Sequence, residues 1–124
     1  MPSTKRRILC AEADKDISDL IRLMLEEKGY EVECVQTAAD CLSTAAAERF
    51  DLYILNDTYI DGDSFELCQQ LRAFDPATPV LLFSLDGSEH SRDVEVGEGV
   101  NTYATRTSDF VTLVQTIDTL LQSR

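Results

Sequence analysis

Four polar clusters in this chain hold groups that could do chemistry: Glu12-Ala13-Asp14, Asn56-Asp57-Thr58, Ser84, and Thr105-Arg106-Thr107. They offer carboxylates, an amide, hydroxyls and a guanidinium, from which ion pairs and anion or cation sites are built. Other candidates fail on spacing. Asp57-Thr58-Tyr59-Ile60-Asp61-Gly62-Asp63 has the outline of a calcium loop. Setting Gly62 at the turn puts Tyr59 where an oxygen ligand is needed and Cys68 where the bidentate Glu belongs, so the pattern is discounted. Asp61-Gly62-Asp63-Ser64 has a hydrolase-like D-x-D spacing but opens a helix, where capping explains Asp63 better. Cys10, Cys34, Cys41 and Cys68 contain no C-x-x-C pair, and the lone histidine, His90, lies far from them in a polar run. That excludes a metal knuckle and leaves four reduced thiols acting as small hydrophobes. His90 itself reads as a surface residue. No glycine-rich loop follows the first apolar run, which argues against a nucleotide or flavin cofactor.

The elements that must position these groups follow from hydrophobic pattern. Apolar runs at Ile8 to Ala11, Val32 to Val35, Leu52 to Leu55, Val80 to Phe83 and around Tyr103 suit strands buried on both faces. The second carries Glu31 and Glu33 at alternate positions, as an edge strand with one wet face would. Between the runs, Ile17, Leu20, Ile21, Met24 and Leu25 form one helical stripe, and Gly29 is placed to stop the helix. Thr37 with Asp40, and Asp63 with Glu66, have capping-box spacing before Cys41, Leu42, Ala45, Ala46 and before Leu67, Leu71, Phe74. Phe110, Leu113, Val114, Ile117 and Leu121 mark the last helix. From Ser88 to Gly99 the pattern predicts only a short or frayed helix. Alternating strands and helices imply an α/β fold, a parallel sheet with helices on both faces and function at the carboxyl ends of its strands.

Length and charge narrow the function. The 124 residues make one domain, with a core at about 5–121. A formal charge of −12 disfavours nucleic acid and anionic lipid as direct partners. The only basic cluster, Lys5-Arg6-Arg7, is too short to reverse that. No apolar run is long enough for a membrane span or a signal peptide, which predicts a cytoplasmic protein.

From about Lys5 to Leu121 the chain resembles the receiver domain of two-component response regulators. RRILCAEADKDI is similar to that family's acidic motif after the first strand, and FDLYILNDTYIDGDSFELC to the motif around its phospho-accepting aspartate. TPVLLFSLDG resembles the segment ending in Thr or Ser, and GVNTYATRT the segment with a switch aromatic and a Lys-Pro. The resemblance implies a flavodoxin-like (βα)5 doubly wound sheet with strand order 2-1-3-4-5. It further implies a role in phosphorelay signalling with a histidine kinase, an effector domain or another signalling protein as partner. A weak homodimer through the family's fourth and fifth helices is also implied.

The chemistry departs from the family. The acidic pair becomes Glu12-Ala13, the phospho-acceptor position is Asn56, the lysine position is Arg106 and the proline after it is Thr107. Only Ser84 and Tyr103 keep the family's residue types in the switch positions. Phosphoryl transfer to a carboxylate needs a carboxylate nucleophile, a hard cation and a fixed positive charge. Ala13 offers no ligand, Asn56 offers a neutral amide, and the Thr58 carbonyl cannot hold an ion alone. The residues therefore predict a degenerate receiver with no metal and no cofactor, acting mainly as a protein-interaction module and not as an enzyme. The alternative is a working receiver in which Asp57 substitutes as acceptor, with Mg²⁺-dependent self-dephosphorylation. Strand alternation points Asp57 away from Glu12, Ser84 and Arg106, unless a bulge re-aims it. Arg106 is expected to turn inward to Glu12 or Asn56 with Ser84 beside it, across roughly 14 Å of strand spacing.

Overall fold

The computed structural model describes residues 5–56, 58–59, 62–84, 102–106 and 110–122, with backbone alone at 58–59, 62–65, 84 and 102–106. Five parallel strands, β1 (Arg7–Ala11), β2 (Glu31–Val35), β3 (Leu52–Asn56), β6 (Val80–Ser84) and β7 (Thr102–Arg106), form one sheet in the order β2-β1-β3-β6-β7. In chain order that is 2-1-3-4-5, as expected. Helices α1 (Lys15–Glu27) and α4 (Phe110–Gln122) cover one face, and α2 (Ala38–Ala47) and α3 (Ser64–Phe74) the other. The small antiparallel ribbon of β4 (Thr58–Tyr59) and β5 (Gly62–Asp63) was not anticipated. The segment from Ser88 to Gly99, with His90, lies outside the described residues.

Side-chain alternation splits the core into two layers. Ile8, Cys10, Leu52, Ile54, Leu81 and Phe83 face α1 and α4, while Leu9, Ala11, Tyr53, Leu55, Val80 and Leu82 face α2 and α3. Strands buried on both faces need apolar residues at consecutive positions, which is why they read as unbroken runs. β2 is the exception and forms the edge, with Glu31 and Glu33 exposed.

Helix ends follow local chemistry. Thr37 caps α2, its side chain accepting the Asp40 N–H at 3.0 Å. Gly29, at φ +95°, turns the chain after α1 in a conformation only glycine adopts cheaply. Asp14 also caps α1, accepting from the N–H groups of Asp16 at 2.9 Å and Ile17 at 3.2 Å, a cap the sequence reading missed.

Some apolar positions expected on buried stripes are corrected. Leu20 is 39% exposed and Phe74 47%. The buried face of α1 centres on Ser18, Ile21 and Leu25, and at about 100° per residue Leu20 lies well over a quarter turn away from it. Phe74 is the last residue of α3, beyond its buried Leu67 and Leu71. Ala46 on α2 is likewise exposed. Within the Lys5-Arg6-Arg7 cluster, Arg7 is engaged: it pairs with Glu48 at 2.7 Å and Glu31 at 3.3 Å, and its guanidinium stacks 4.7 Å from the Phe50 ring. Among the described residues, no helix is long and apolar enough to cross a membrane.

At the amino-terminal end of the sheet, Tyr53 reaches out of the core to anchor the turn after α3. Its hydroxyl donates to Asp75 Oδ2 at 2.6 Å, beside the Thr78 hydroxyl at 2.7 Å, while Asp75 Oδ1 accepts from the Ala77 and Thr78 N–H groups. Burial alone would raise the Asp75 carboxyl, but these donors outweigh it and hold the carboxyl below its usual value. Burial first, then the bond to Asp75, pushes the Tyr53 hydroxyl far above the ordinary phenol range. Tyr53→Phe is expected to cost about 1 kcal/mol at neutral pH, a discounted figure because Asp75 is partly exposed. A depressed carboxyl contributes stability above its unfolded pKa of about 4 and loses it as pH falls through the folded value. The difference between wild type and variant in urea denaturation should therefore narrow below about pH 4.

Candidate functional site at the carboxyl ends of the strands

The site begins with Glu12, the residue after β1. It is 2% exposed, and its own N–H donates to the Val35 carbonyl of β2 at 3.0 Å. That bond continues the β1–β2 ladder one residue past the strand and fixes where the side chain starts. A buried carboxylate must be supplied with donors. Glu12 Oε2 accepts the Asp14 N–H at 2.9 Å, and Oε1 accepts the Asn56 side-chain Nδ2. Gln36 Nε2 holds the intervening loop by donating to the Ala13 carbonyl at 3.2 Å.

Asn56 is the last residue of β3, which lies directly beside β1 with Ala11 opposite Leu55. The amide presents its nitrogen to Glu12 and donates to Oε1. Glu12 and Asn56, on adjacent strands, are thus joined by a donor–acceptor bond. No cation is needed to hold them together.

The rest of the expected pocket is placed by backbone register. Asn56 lies opposite Phe83, Ser84 one residue beyond it ends β6, and Ser84 in turn lies opposite Arg106 at the end of β7. Asn56, Ser84 and Arg106 therefore sit on one edge of the sheet, on consecutive strands. Tyr103 lies opposite Leu81, deeper in β7. Thr58 pairs with Asp63 in the β4–β5 ribbon directly beyond β3. Asp57 lies outside the described residues, as does Thr107, and the expected inward turn of Arg106 rests on a side chain outside them. The described partner of Glu12 across the sheet is Asn56. Sequence reasoning had weighed Asn56 only as one of two alternatives for Arg106. Among the described residues no three His, Cys, Asp or Glu side chains gather as a metal site.

The response regulator receiver domain family matches residues 8–118. The chain is 32% identical over 127 aligned residues to a probable transcriptional regulatory protein of Picosynechococcus, covering 97% of this chain and 51% of that protein. It is 29% identical to the transcriptional regulatory protein CreB of Escherichia coli, covering 82% of this chain and 44% of that one. The chain thus spans about half the length of such curated relatives. The fold matches a CheY-like receiver domain from Methanospirillum hungatei with a TM-score of 0.84 at 24% identity, covering 97% of this chain and 96% of that one. It also matches the response regulator TrrA of Thermotoga maritima, solved in complex with Mg²⁺ and BeF, with a TM-score of 0.79 at 21% identity, covering 93% of this chain and 98% of that one. By its family match over most of its length, this chain belongs to the response regulator receiver domains.

Proposed function

We propose that this receiver is disarmed as a phospho-acceptor and works mainly as a signalling module that recognises other proteins. The observation that carries the reading is the hydrogen bond from the Asn56 amide to the buried Glu12 carboxylate. The acceptor position holds a neutral amide, a poor nucleophile toward phosphorus. That amide also turns its N–H, not an oxygen, into the place where a cation would have to sit.

The donor set does not suit Mg²⁺. This ion takes an octahedron of oxygens including one or two carboxylates. Here Ala13 has no ligand, both Glu12 oxygens accept N–H groups, and Asn56 aims a donor at the site. What remains is a fixed polar pocket at the end of β1 and β3, in a family that operates through histidine kinases and effector domains. The −12 charge favours a protein partner with a basic surface over nucleic acid.

Incubation of the chain with a small phosphodonor and Mg²⁺, followed by intact mass, should show no added phosphoryl group. A gain that Asp57→Ala abolishes would overturn the proposal and establish Asp57 as a displaced acceptor.

Substitution at the amide tests the pocket directly. Asn56→Asp replaces a donor with a second carboxylate facing Glu12. It should destabilise the chain by about 1–3 kcal/mol at neutral pH. Two facing carboxylates raise the folded pKa of the pair, so the loss is largest at neutral pH and shrinks as pH falls and one of them is protonated. Millimolar Mg²⁺ should restabilise Asn56→Asp, and more so Ala13→Asp with Asn56→Asp, while leaving the melting temperature of the wild type unchanged. Restabilisation of the wild type by Mg²⁺ would contradict the reading.

A further inference from the structure

Cys10 and Cys34 occupy partner positions on the parallel strands β1 and β2. Partner residues on adjacent strands lie about 5 Å apart at Cα and project to one face, within the roughly 4.4–6.8 Å that a disulfide spans. Both side chains pack in the layer beneath α1, together with Ile21 and Leu25. Their surroundings differ in a way that suits sequential chemistry. Cys10 is fully buried, whereas Cys34, on the edge strand, is partly exposed and bonds the Ser18 carbonyl at 3.7 Å.

We propose that Cys10 and Cys34 form a redox-modification site, in which a hydroperoxide oxidises Cys34 and Cys10 resolves it to an intrachain disulfide. In the first step the Cys34 thiolate attacks one peroxide oxygen. The O–O bond breaks, two electrons pass from sulfur to the peroxide, and the departing hydroxide takes a proton to become water. Cys34 is left as a sulfenic acid. In the second step the Cys10 sulfur attacks the Cys34 sulfur and the S–O bond breaks. The hydroxide leaves as water with the Cys10 proton. With hydrogen peroxide, two thiols and one peroxide give one disulfide and two waters, and a dithiol reductant reverses the change.

The site is selective for a physical reason. The neighbouring Cys10 and the Arg22 guanidinium lower the Cys34 thiol against its burial, while Cys10, fully buried beside it, is raised well above the ordinary thiol range. Cys41, buried on the other face of the sheet, is pushed up to about 12 by desolvation, and Cys68 is buried beside it. Access at the edge strand therefore singles out Cys34 as the attacking sulfur, with Cys10, Cys41 and Cys68 all buried. The new bond would tie the edge strand to β1 two residues ahead of Glu12, in a receiver that we read as unable to take its signal as phosphate.

The test treats the full chain with stoichiometric hydrogen peroxide and reads intact mass and a non-reducing tryptic map. The expected result is a loss of two hydrogens per chain, with peptide 8–15 joined to peptide 29–49 and reversal by dithiothreitol. Fragmentation must locate the link at Cys34, because Cys41 shares its peptide. Cys10→Ser should stop at a Cys34 sulfenic acid that dimedone traps. Cys34→Ser should lose the link and slow thiol oxidation about tenfold. Wild type that keeps four thiols, or a link through Cys41, Cys68 or a second chain, would overturn the proposal without reliance on either variant.

Discussion

The carboxyl end of this sheet is organised around a single problem, a carboxylate with almost no access to water. Glu12 is buried at the point where the β1–β2 ladder runs one residue past β1. In a low-dielectric setting such a group requires either a cation or convergent donors. The chain supplies donors, one from the Asp14 backbone and one from the Asn56 side chain. The Asp14 contribution depends on the turn that also lets Asp14 cap α1, so the start of that helix and the solvation of Glu12 are set by the same three residues.

An amide facing Glu12 bears on what this pocket can respond to. Two carboxylates held at the ends of adjacent strands repel, and the strain is relieved by whatever cation arrives, which makes such a pair responsive to metal and phosphoryl chemistry. A carboxylate bonded to an amide has no such imbalance. Its geometry is satisfied in one state, and binding an ion there would first require breaking the bond. Because the bond links the residue after β1 to the end of β3, it ties the central strand to its neighbour at the carboxyl end of the sheet.

Much of this was legible in the sequence because the physics is local. Unbroken apolar runs can only be strands covered on both faces, and charge at alternate positions of Glu31 to Val35 placed β2 at an edge. The sequence also placed Asn56 at the carboxyl end of the third strand and Glu12 just after the first, where the structure has them on adjacent strands. The identity of Glu12's partner was not legible. Arg106 was expected to reach Glu12 or the Asn56 amide because its side chain is long and its fork can bond both, whereas β3 adjoins β1 directly and brings the Asn56 amide to Glu12 without any such reach. Leu20 misled for a similar reason: an i, i+3, i+4 stripe is wider than the strip of sheet that α1 covers, and small Ser18 lies inside that strip. The β4–β5 ribbon escaped notice because two-residue strands leave no periodicity to detect.

The exposed carboxylates of β2 bear on how this protein behaves in crowded solution. An outermost strand presents unpaired backbone groups that a strand from another molecule can complete, the first step toward a growing fibrous stack. Glu31 and Glu33 stand on that border, facing solvent. A second copy aligning there would bring its own pair of glutamates against them, and like charges in register oppose the join. The acidity of this border thus keeps one sheet from extending into the next.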